Sequence, residues 1–267
     1  MKYNPEYLAA NRELWDQKVA VHRTSSFYRM DEFAAGKSVL DKIATHGVGD
    51  LSGKRVLHLQ CHFGLDTMSL LRLGADSAVG IDLSPEAVKL ARELAEQHGE
   101  RAQFIESDVY KTSEVIDEQF DLVFSTFGAI PWLPDLDRWA EVVVQHLKPG
   151  GTFYFAEFHP TLYLFNFENQ RVEYDYFNRA YAEEIIGTYA EPSADMRATE
   201  HFWTHSIDEV VRPLLKRGLV LEKFAEHDWS PFNCFSNMVE KEPGRYVFGN
   251  FENVRIPHVL ELKFSRS

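Results

Sequence analysis

Two cysteines, Cys61 and Cys234, in 267 residues are too few for a disulfide framework and point to a reducing compartment. No apolar stretch approaches the roughly 20 residues that span a bilayer, and the N-terminal run Met1-Lys-Tyr-Asn-Pro-Glu-Tyr7 is polar from the start. A cytoplasmic protein without a membrane partner is expected. Basic residues are also short: 28 Lys and Arg stand against 41 Asp and Glu, a net charge of -13. Phosphate backbones draw on clustered Lys and Arg, so a nucleic-acid partner is not expected. Internal repeats and low-complexity segments are missing as well. What is present is a 45% hydrophobic chain, long enough for one large α/β domain with a well-buried core. A small-molecule partner is expected, and the acidic surface suits a monomer or a homodimer equally.

The most informative run is Arg55-Val-Leu-His-Leu-Gln-Cys-His-Phe-Gly-Leu-Asp-Thr67, followed by Ser77-Ala-Val-Gly-Ile-Asp-Leu-Ser84. Val56, Leu57 and Leu59 form a short buried strand, Phe63-Gly64 turn the chain, and a helix begins near Asp66. Asp82 closes the next strand, eighteen residues after Gly64, where an acid can accept from both hydroxyls of an unphosphorylated ribose. A dinucleotide pyrophosphate needs glycines where backbone meets phosphate oxygens. Gln60 and His62 stand where its first two glycines would be, and only Gly64 remains. Nicotinamide and flavin cofactors are thereby disfavoured, and a nicotinamide-dependent oxidoreductase is the weakest reading. A cofactor without phosphates, such as S-adenosylmethionine, makes less demand on loop amides.

From about Arg55 to Glu157 the chain resembles the class I S-adenosylmethionine-dependent methyltransferases, with small-molecule enzymes as the nearest type. Val56 to Gly64 corresponds to the first motif, Gly80-Ile-Asp-Leu-Ser84 to the second strand and Phe104-Ile-Glu-Ser-Asp-Val109 to the third. Phe120-Asp-Leu-Val-Phe124 matches the fourth strand, and Leu147-Lys-Pro-Gly-Gly151 the turn into the fifth. The departure is the first motif, His-Leu-Gln-Cys-His-Phe-Gly, in which His58, Gln60 and His62 replace an acid and two glycines. The resemblance implies a Rossmann-like, seven-stranded, mostly parallel sheet with an antiparallel last strand and helices on both faces. It also implies S-adenosylmethionine as cofactor and S-adenosylhomocysteine as product.

The same resemblance supplies the expected cofactor contacts. Asp82 would hold the ribose with the Leu83 backbone beside the adenine, and Asp108 and the Val109 amide would meet the adenine edge. Gly64, Ser125, Thr126 and Phe127 would lie along the methionine part, and Gln60 and His62 would bond its amino and carboxylate groups. Each has a plain alternative: Asp108 as a helix N-cap, Gly64 as a turn glycine, Ser125 to Phe127 as strand-end packing.

Around this core, residues 1–50 are expected to form a helical lid, 51–158 the cofactor-binding part, 159–203 an inserted cap of strands and a helix, and 204–267 the rest of a single domain. Trp15, Val19, Phe27, Phe33, Val39, Leu40 and Ile43 give the lid a helical periodicity broken near Thr24-Ser-Ser26. The 159–203 stretch is dense in Tyr, Phe and Trp beside many acids. Ser84-Pro-Glu starts a helix with an N-cap and Pro at N1, and Ser206-Ile-Asp-Glu209 reads as a capping box. Leu219 to Phe224 is expected as a strand and Arg245 to Phe264 as the last one, and the resemblance implies that the two form an antiparallel hairpin at the sheet edge.

Methyl transfer from a sulfonium is a direct displacement, so alignment supplies most of the catalysis. Candidate bases are His159, at the carboxyl end of the fifth strand, and His205, beside the aromatic stretch. Tyr28 is a candidate to close over the sulfonium. Each of the three has a structural alternative. His58, Cys61 and His62 are not expected to bind metal, because strand alternation turns His58 and Leu59 to opposite faces and no further ligand cluster follows. A protein that binds the cofactor without turnover, as a sensor or accessory subunit, is the second functional reading.

Overall fold

The structure, a computed structural model, describes residues 4–251 and 253–267. Met1 to Tyr3 of the polar N-terminal run lie outside the described residues. The first five strands are β1 (Arg55–Leu59), β2 (Ser77–Asp82), β3 (Ala102–Glu106), β4 (Phe120–Thr126) and β5 (Leu147–Phe158). Outside the sheet, β6 (Arg179–Ile186) pairs with β7 (Arg197–Thr204), and the chain continues through β8 (Leu219–His227), β9 (Met238–Glu242), β10 (Arg245–Phe248) and β11 (Val259–Arg266). Seven strands form the main sheet in the order β3-β2-β1-β4-β5-β11-β8. The pairs from β3 to β5 are all parallel, and β11 runs antiparallel to both β5 and β8. The expected sheet, mostly parallel with an antiparallel last strand, is therefore present. Chain order reverses direction across β1 and β4, and in an open α/β sheet this switch point opens a crevice at the carboxyl ends of the strands.

The helices follow from local signals. α1 (Pro5–His22) has Asn4 as N-cap, accepting from the Glu6 amide at 2.9 Å, and Pro5 at its start. α2 (Met30–Ala34) and α3 (Lys42–Gly47) complete the N-terminal part. α4 (Leu65–Arg72) follows β1, and α5 (Pro85–His98) follows β2 with the expected Ser84 cap on the Ala87 amide. α6 (Thr112–Val115) and α7 (Leu136–Gln145) cover the other face with α8 (Ile207–Lys216), which opens on the expected capping box of Ser206 and Glu209. One face packs Trp139, Phe153, Phe155 and Leu214 beneath α7 and α8. The other packs Phe33, Phe63, Met68, Leu94 and Phe104 beneath α1, α2, α4 and α5. No helix among the described residues is long and apolar enough to cross a membrane.

Two expectations are corrected. The last strand is Val259–Arg266 alone, whereas Arg245–Phe248 pairs with Met238–Glu242 in a separate ribbon. Gly249, Asn250, Asn253 and Pro257 break the run between them, and pairing with β8 resumes only at Val259 opposite His227. In the 159–203 stretch the described residues form the β6–β7 hairpin and a single 3-10 turn at Leu162–Leu164, without the expected α-helix. Tyr, Phe, Ile and Thr along both arms favour a pleated ribbon over a helix.

His58 offers a test of the core. It is buried on β1, with Nδ1 2.8 Å from Thr67 Oγ1, and burial pushes its pKa down to about 3. The unfolded chain then binds a proton that the native chain refuses between its depressed value and the ordinary value near 6.5. Stability contributed by this group is present above about pH 6.5 and is lost as pH falls through that window. Wild type is expected to show a steeper loss of stability from about pH 6 to pH 4 than His58→Gln, by up to about 1.4 kcal/mol per pH unit. Urea titrations at stepped pH read the difference. Equal slopes would mean that His58 is protonated in the fold.

Candidate active site at the carboxyl edge of the sheet

The loop after β1 has an unusual backbone. Gln60, His62 and Gly64 all have positive φ, at 59°, 51° and 78°. Every second residue is thus left-handed, a conformation that suits glycine and costs about 1–2 kcal/mol for other residues. Gln60 and His62, which stand where a glycine-rich motif would carry its first two glycines, thus both take a φ that suits glycine. Hydrogen bonds hold the loop: the Cys61 amide donates to Ile81 O at 2.9 Å, and the Gly64 amide to Cys61 O at 3.0 Å. The His62 amide donates to Asp82 Oδ2 at 2.6 Å and the Ser84 amide to Asp82 Oδ1 at 2.9 Å. Asp82 therefore ties the loop after β1 to the loop after β2. Burial pushes its pKa up to about 6, against the pull of those amides.

Gly64 has a further reason to be glycine. A Cβ there would lie 2.4 Å from the Phe104 ring, and one on Gly80 would lie 2.6 Å from Cys61 Sγ and 2.7 Å from Phe104. Phe104 fills a notch between two glycines, which sets the distance of β3 and α5 from the loop. Gly64→Ala is expected to cost about 2–5 kcal/mol, from φ strain added to overpacking. Chemical denaturation measures it, and a cost below about 1 kcal/mol would sink the steric account.

Gln60 Nε2 donates to Ala129 O at 2.9 Å, joining the first loop to the one after β4. That second loop is fixed by Glu157 at the end of β5. Glu157 Oε1 accepts from the amides of Gly128 at 2.7 Å and Phe158 at 2.7 Å, and Oε2 from Ala129 at 2.8 Å and Ile130 at 3.2 Å. Ser125, Thr126 and Phe127 lie just before this loop. Ser125 Oγ is buried without a hydrogen-bond partner among the described residues, and the Phe127 ring packs on Phe158 and Phe232. Asp108 caps the turn after β3, accepting from the Tyr110 amide at 3.1 Å, and Val109 is buried in the core. Leu83 is half-buried between Asp82 and Ser84.

α1 lies across this edge. Arg12 meets Glu106 at 2.6 Å, and Asp16 accepts from the Ser84 hydroxyl. The other side of α1 is fastened to the β6–β7 hairpin. Asn11 and the His201 backbone exchange two hydrogen bonds, of 2.7 and 2.9 Å, Tyr7 stacks on His201, and Ser25 Oγ donates to Ala190 O. Trp15, Lys18 and His22, at helical spacing on one stripe of α1, turn inward. His22 Nδ1 lies 3.0 Å from both His62 Nε2 and the Tyr28 hydroxyl, and that hydroxyl lies 2.5 Å from Tyr189 Oη. Burial, reinforced by the Lys18 charge, pushes His22 down to about 3. Burial, then the charges of His22 and Lys18, holds His62 well below its ordinary value.

The three expected catalytic side chains separate. Tyr28 stands at the first loop, with its ring 4.7 Å from that of Phe63. His159 is turned to β8, with Nε2 2.9 Å from Glu226 Oε1 and Nδ1 accepting from the Thr161 amide at 3.1 Å. His205 donates from Nε2 to Leu133 O at 2.8 Å and meets Asn178 through Nδ1 at 3.0 Å. Burial pushes it down to about 4. Both histidines thus use both ring nitrogens locally. Lys18, His22, Trp132 and Glu157 were not singled out from sequence. The signal for the first two was available: polar residues at positions 18 and 22 on the stripe shared with Trp15 and Val19.

Residues 56–151 match the model of a methyltransferase domain. Over this stretch the chain is similar to a methyltransferase domain. Over 105 residues it is 32% identical to a ribosomal protein L11 methyltransferase of Photobacterium profundum, covering 38% of this chain and 33% of that one. The corresponding protein of Neisseria gonorrhoeae is 36% identical over 100 residues, 38% of this chain and 31% of the other. The chain thus spans about a third of the length of the curated relatives it matches. Likeness of fold extends further than the methyltransferase domain. A crystal structure of an S-adenosylmethionine dependent methyltransferase from Mesorhizobium loti superposes with a TM-score of 0.56 at 18% identity, covering 84% of this chain and 96% of that one. A glycopeptide N-methyltransferase gives 0.54 at 17% identity, over 85% and 88%.

Proposed function

We propose that the protein binds S-adenosylmethionine in the crevice at the carboxyl ends of β1, β2 and β4 and transfers its methyl group to a small-molecule acceptor by in-line displacement. The observation that carries this reading is the loop from Gln60 to Gly64, which keeps a glycine-motif backbone and is tied by its His62 amide to Asp82. Unpartnered buried polar atoms at Gln60 Oε1, His62 Nδ1 and Ser125 Oγ fit a polar ligand there. When bound, S-adenosylmethionine supplies a methyl group on an electron-poor sulfonium. Each Asp82 oxygen accepts one amide and keeps a lone pair for a ribose hydroxyl. Asp108 and the Val109 amide take the adenine edge beside Leu83, and Gly64 and Ser125 to Phe127 line the methionine chain. Alignment of the acceptor is worth roughly 7–11 kcal/mol in favourable cases and requires no covalent intermediate.

Of the three catalytic candidates Tyr28 fits best, because it alone touches the first loop. His159 and His205 serve as bases only after giving up Glu226, Leu133 or Asn178. Residues 1–50 and 159–203 act as lid and cap of one domain. The fastening of α1 to β7 through Asn11, Tyr7 and His201 covers this edge of the sheet, which favours a small acceptor over the ribosomal protein for which the partial relatives are named. Aromatic rings and acids on the cap suit an amine or another cation. Calorimetric titration with S-adenosylhomocysteine, with NAD as control, tests the cofactor. Micromolar binding of the first alone is expected, and binding of NAD alone would replace this reading with an oxidoreductase. Binding without transfer from labelled S-adenosylmethionine to any metabolite pool would leave a cofactor-binding protein.

A further inference from the structure

α1 holds the β6–β7 hairpin more firmly than it holds the sheet. Asn11 is 4% exposed and exchanges hydrogen bonds of 2.7 and 2.9 Å with the His201 backbone, and Tyr7 stacks on the His201 ring. Past the end of the helix, Ser25 Oγ donates to Ala190 O at 2.6 Å, and the Tyr28 and Tyr189 hydroxyls meet at 2.5 Å. These ties run from β7 to the loop that joins it to β6, so helix and hairpin are fastened along their length.

Toward the sheet the ties are fewer. The Arg12–Glu106 pair is 46% and 43% exposed, and pairs so exposed contribute little. Asp16 Oδ1 accepts from Ser84 Oγ and lies 3.4 Å from the Glu86 amide, a carboxylate set at the N-terminus of α5. Val19 adds apolar packing. Elsewhere the seam between α1 and the first loop is poorly satisfied. Lys18 Nζ stands 3.7 Å from Glu200 Oε2, longer than a hydrogen bond. His22 Nε2, His62 Nδ1 and Gln60 Oε1 are buried without partners among the described residues. Unpaired buried polar atoms are costly, and parting the two surfaces returns them to water. A join with so few satisfied contacts is where a fold opens first.

We propose that α1 and the β6–β7 hairpin open and close as one lid, with Asp16 on Ser84 as the latch and Asn11 on His201 as the coupling. The inference rests on the cofactor reading above. The latch stands two residues beyond Asp82, the proposed ribose acid, so a nucleoside there adds contacts to a seam that lacks them. The base of β7 is the fixed end: Trp203 and Thr204 are buried, and His205 Nε2 donates to Leu133 O at 2.8 Å. Closure of α1 carries the rest of the hairpin with it, over the turn Ile130–Trp132 that follows β4 and against which β7 rests. The acceptor side of the crevice is thereby assembled by cofactor binding, which imposes an order of cofactor first and acceptor second. Asn11 and His201 are positioning residues in this scheme.

Hydrogen exchange of the full chain, read by mass spectrometry with and without S-adenosylhomocysteine, tests the coupling. In wild type, residues 5–22 and 179–204 are expected to gain protection together, by up to about 100-fold at a ligand concentration about 100 times Kd. In Asn11→Ala/Ser25→Ala the latch is intact and the coupling is gone, so 5–22 gain protection and 179–204 do not. Asp16→Ala keeps the coupling and loses the latch. Both segments then exchange faster by the same factor in the free protein, and S-adenosylhomocysteine dissociates about tenfold faster. Protection of one segment alone, or of neither, in ligand-loaded wild type overturns the proposal. So does a hairpin protected as fully in Asn11→Ala/Ser25→Ala as in wild type. If that double variant fails to fold, Asp16→Ala decides, and unequal loosening of the two segments overturns the single lid. Wild type without calorimetric binding of S-adenosylhomocysteine defeats the cofactor reading itself, and the lid order with it.

Discussion

Asp82→Ala is expected to bind S-adenosylhomocysteine at least about 100-fold more weakly than wild type. Two hydrogen bonds from ribose hydroxyls to a carboxylate are worth about 1.5–3 kcal/mol each, and each 1.4 kcal/mol is tenfold in affinity. The variant also leaves the His62 and Ser84 amides without their acceptor, now at 2.6 and 2.9 Å. A loss of about 2 kcal/mol or more in stability is expected to accompany the loss of affinity. Asp82→Asn separates the two effects. It keeps one carbonyl acceptor but turns an NH2 toward one of the amides, so a smaller loss, about tenfold, is expected. The pH dependence follows the same carboxylate. With its pKa pushed up to about 6 by burial, Asp82 is ionised at neutral pH and takes a proton below pH 6, so affinity weakens as pH falls through that value. Calorimetry with thermal unfolding on the same samples reads both quantities. A folded Asp82→Ala chain with wild-type affinity would remove Asp82 from the ribose site.

The parallel half of the sheet was legible because each strand carries its own apolar run and each connection its own signal. Val56, Leu57 and Leu59 mark β1, Gly64 its turn, and Ser84-Pro85 the next helix start, and all stand where sequence placed them. Such signals are local, spanning a few residues. What escaped is non-local. Nothing in Arg245 to Phe248 says that it pairs with Met238–Glu242 and not with the sheet, because register there is set by Ser230 and by the turn at Gly244. Likewise Lys18 and His22 reach the first loop only through the docking of α1, which depends on Asp16 meeting Ser84 and on Asn11 meeting His201. Glu157 read as the end of a strand, and its four amide donors come from a loop and a neighbour about thirty residues away or adjacent in chain. Conversely, the substitutions at Gln60 and His62 were visible, but the retention of the glycine-like backbone beneath them was not. Side-chain identity predicts φ only where strain is unopposed, and here Asp82 opposes it.

Glu157→Ala is expected to cost about 4 kcal/mol or more, the largest stability effect of any single substitution near the crevice. Four backbone amides and, at 3.4 Å, the Tyr163 hydroxyl converge on this buried carboxyl group. Each donor left unsatisfied costs about 1–3 kcal/mol, although neighbouring losses do not add fully. The damage should reach the cofactor site, because Gln60 holds Ala129 O and the loop from Gly128 to Ile130 would no longer be fixed. Affinity for S-adenosylhomocysteine is therefore expected to fall along with stability, although Glu157 itself touches no part of the proposed cofactor site. Burial works in the opposite direction from the amides and pushes the Glu157 pKa up. Glu157→Gln decides between the two forces. In an ionised site, the new NH2 faces the amides on one oxygen's side, two backbone donors lose their acceptor, and about 2–4 kcal/mol goes with them. Urea denaturation gives the number directly. A Glu157→Gln chain as stable as wild type would show that burial wins, that the carboxyl group is protonated in the native state, and that a neutral acid holds the loop against the sheet.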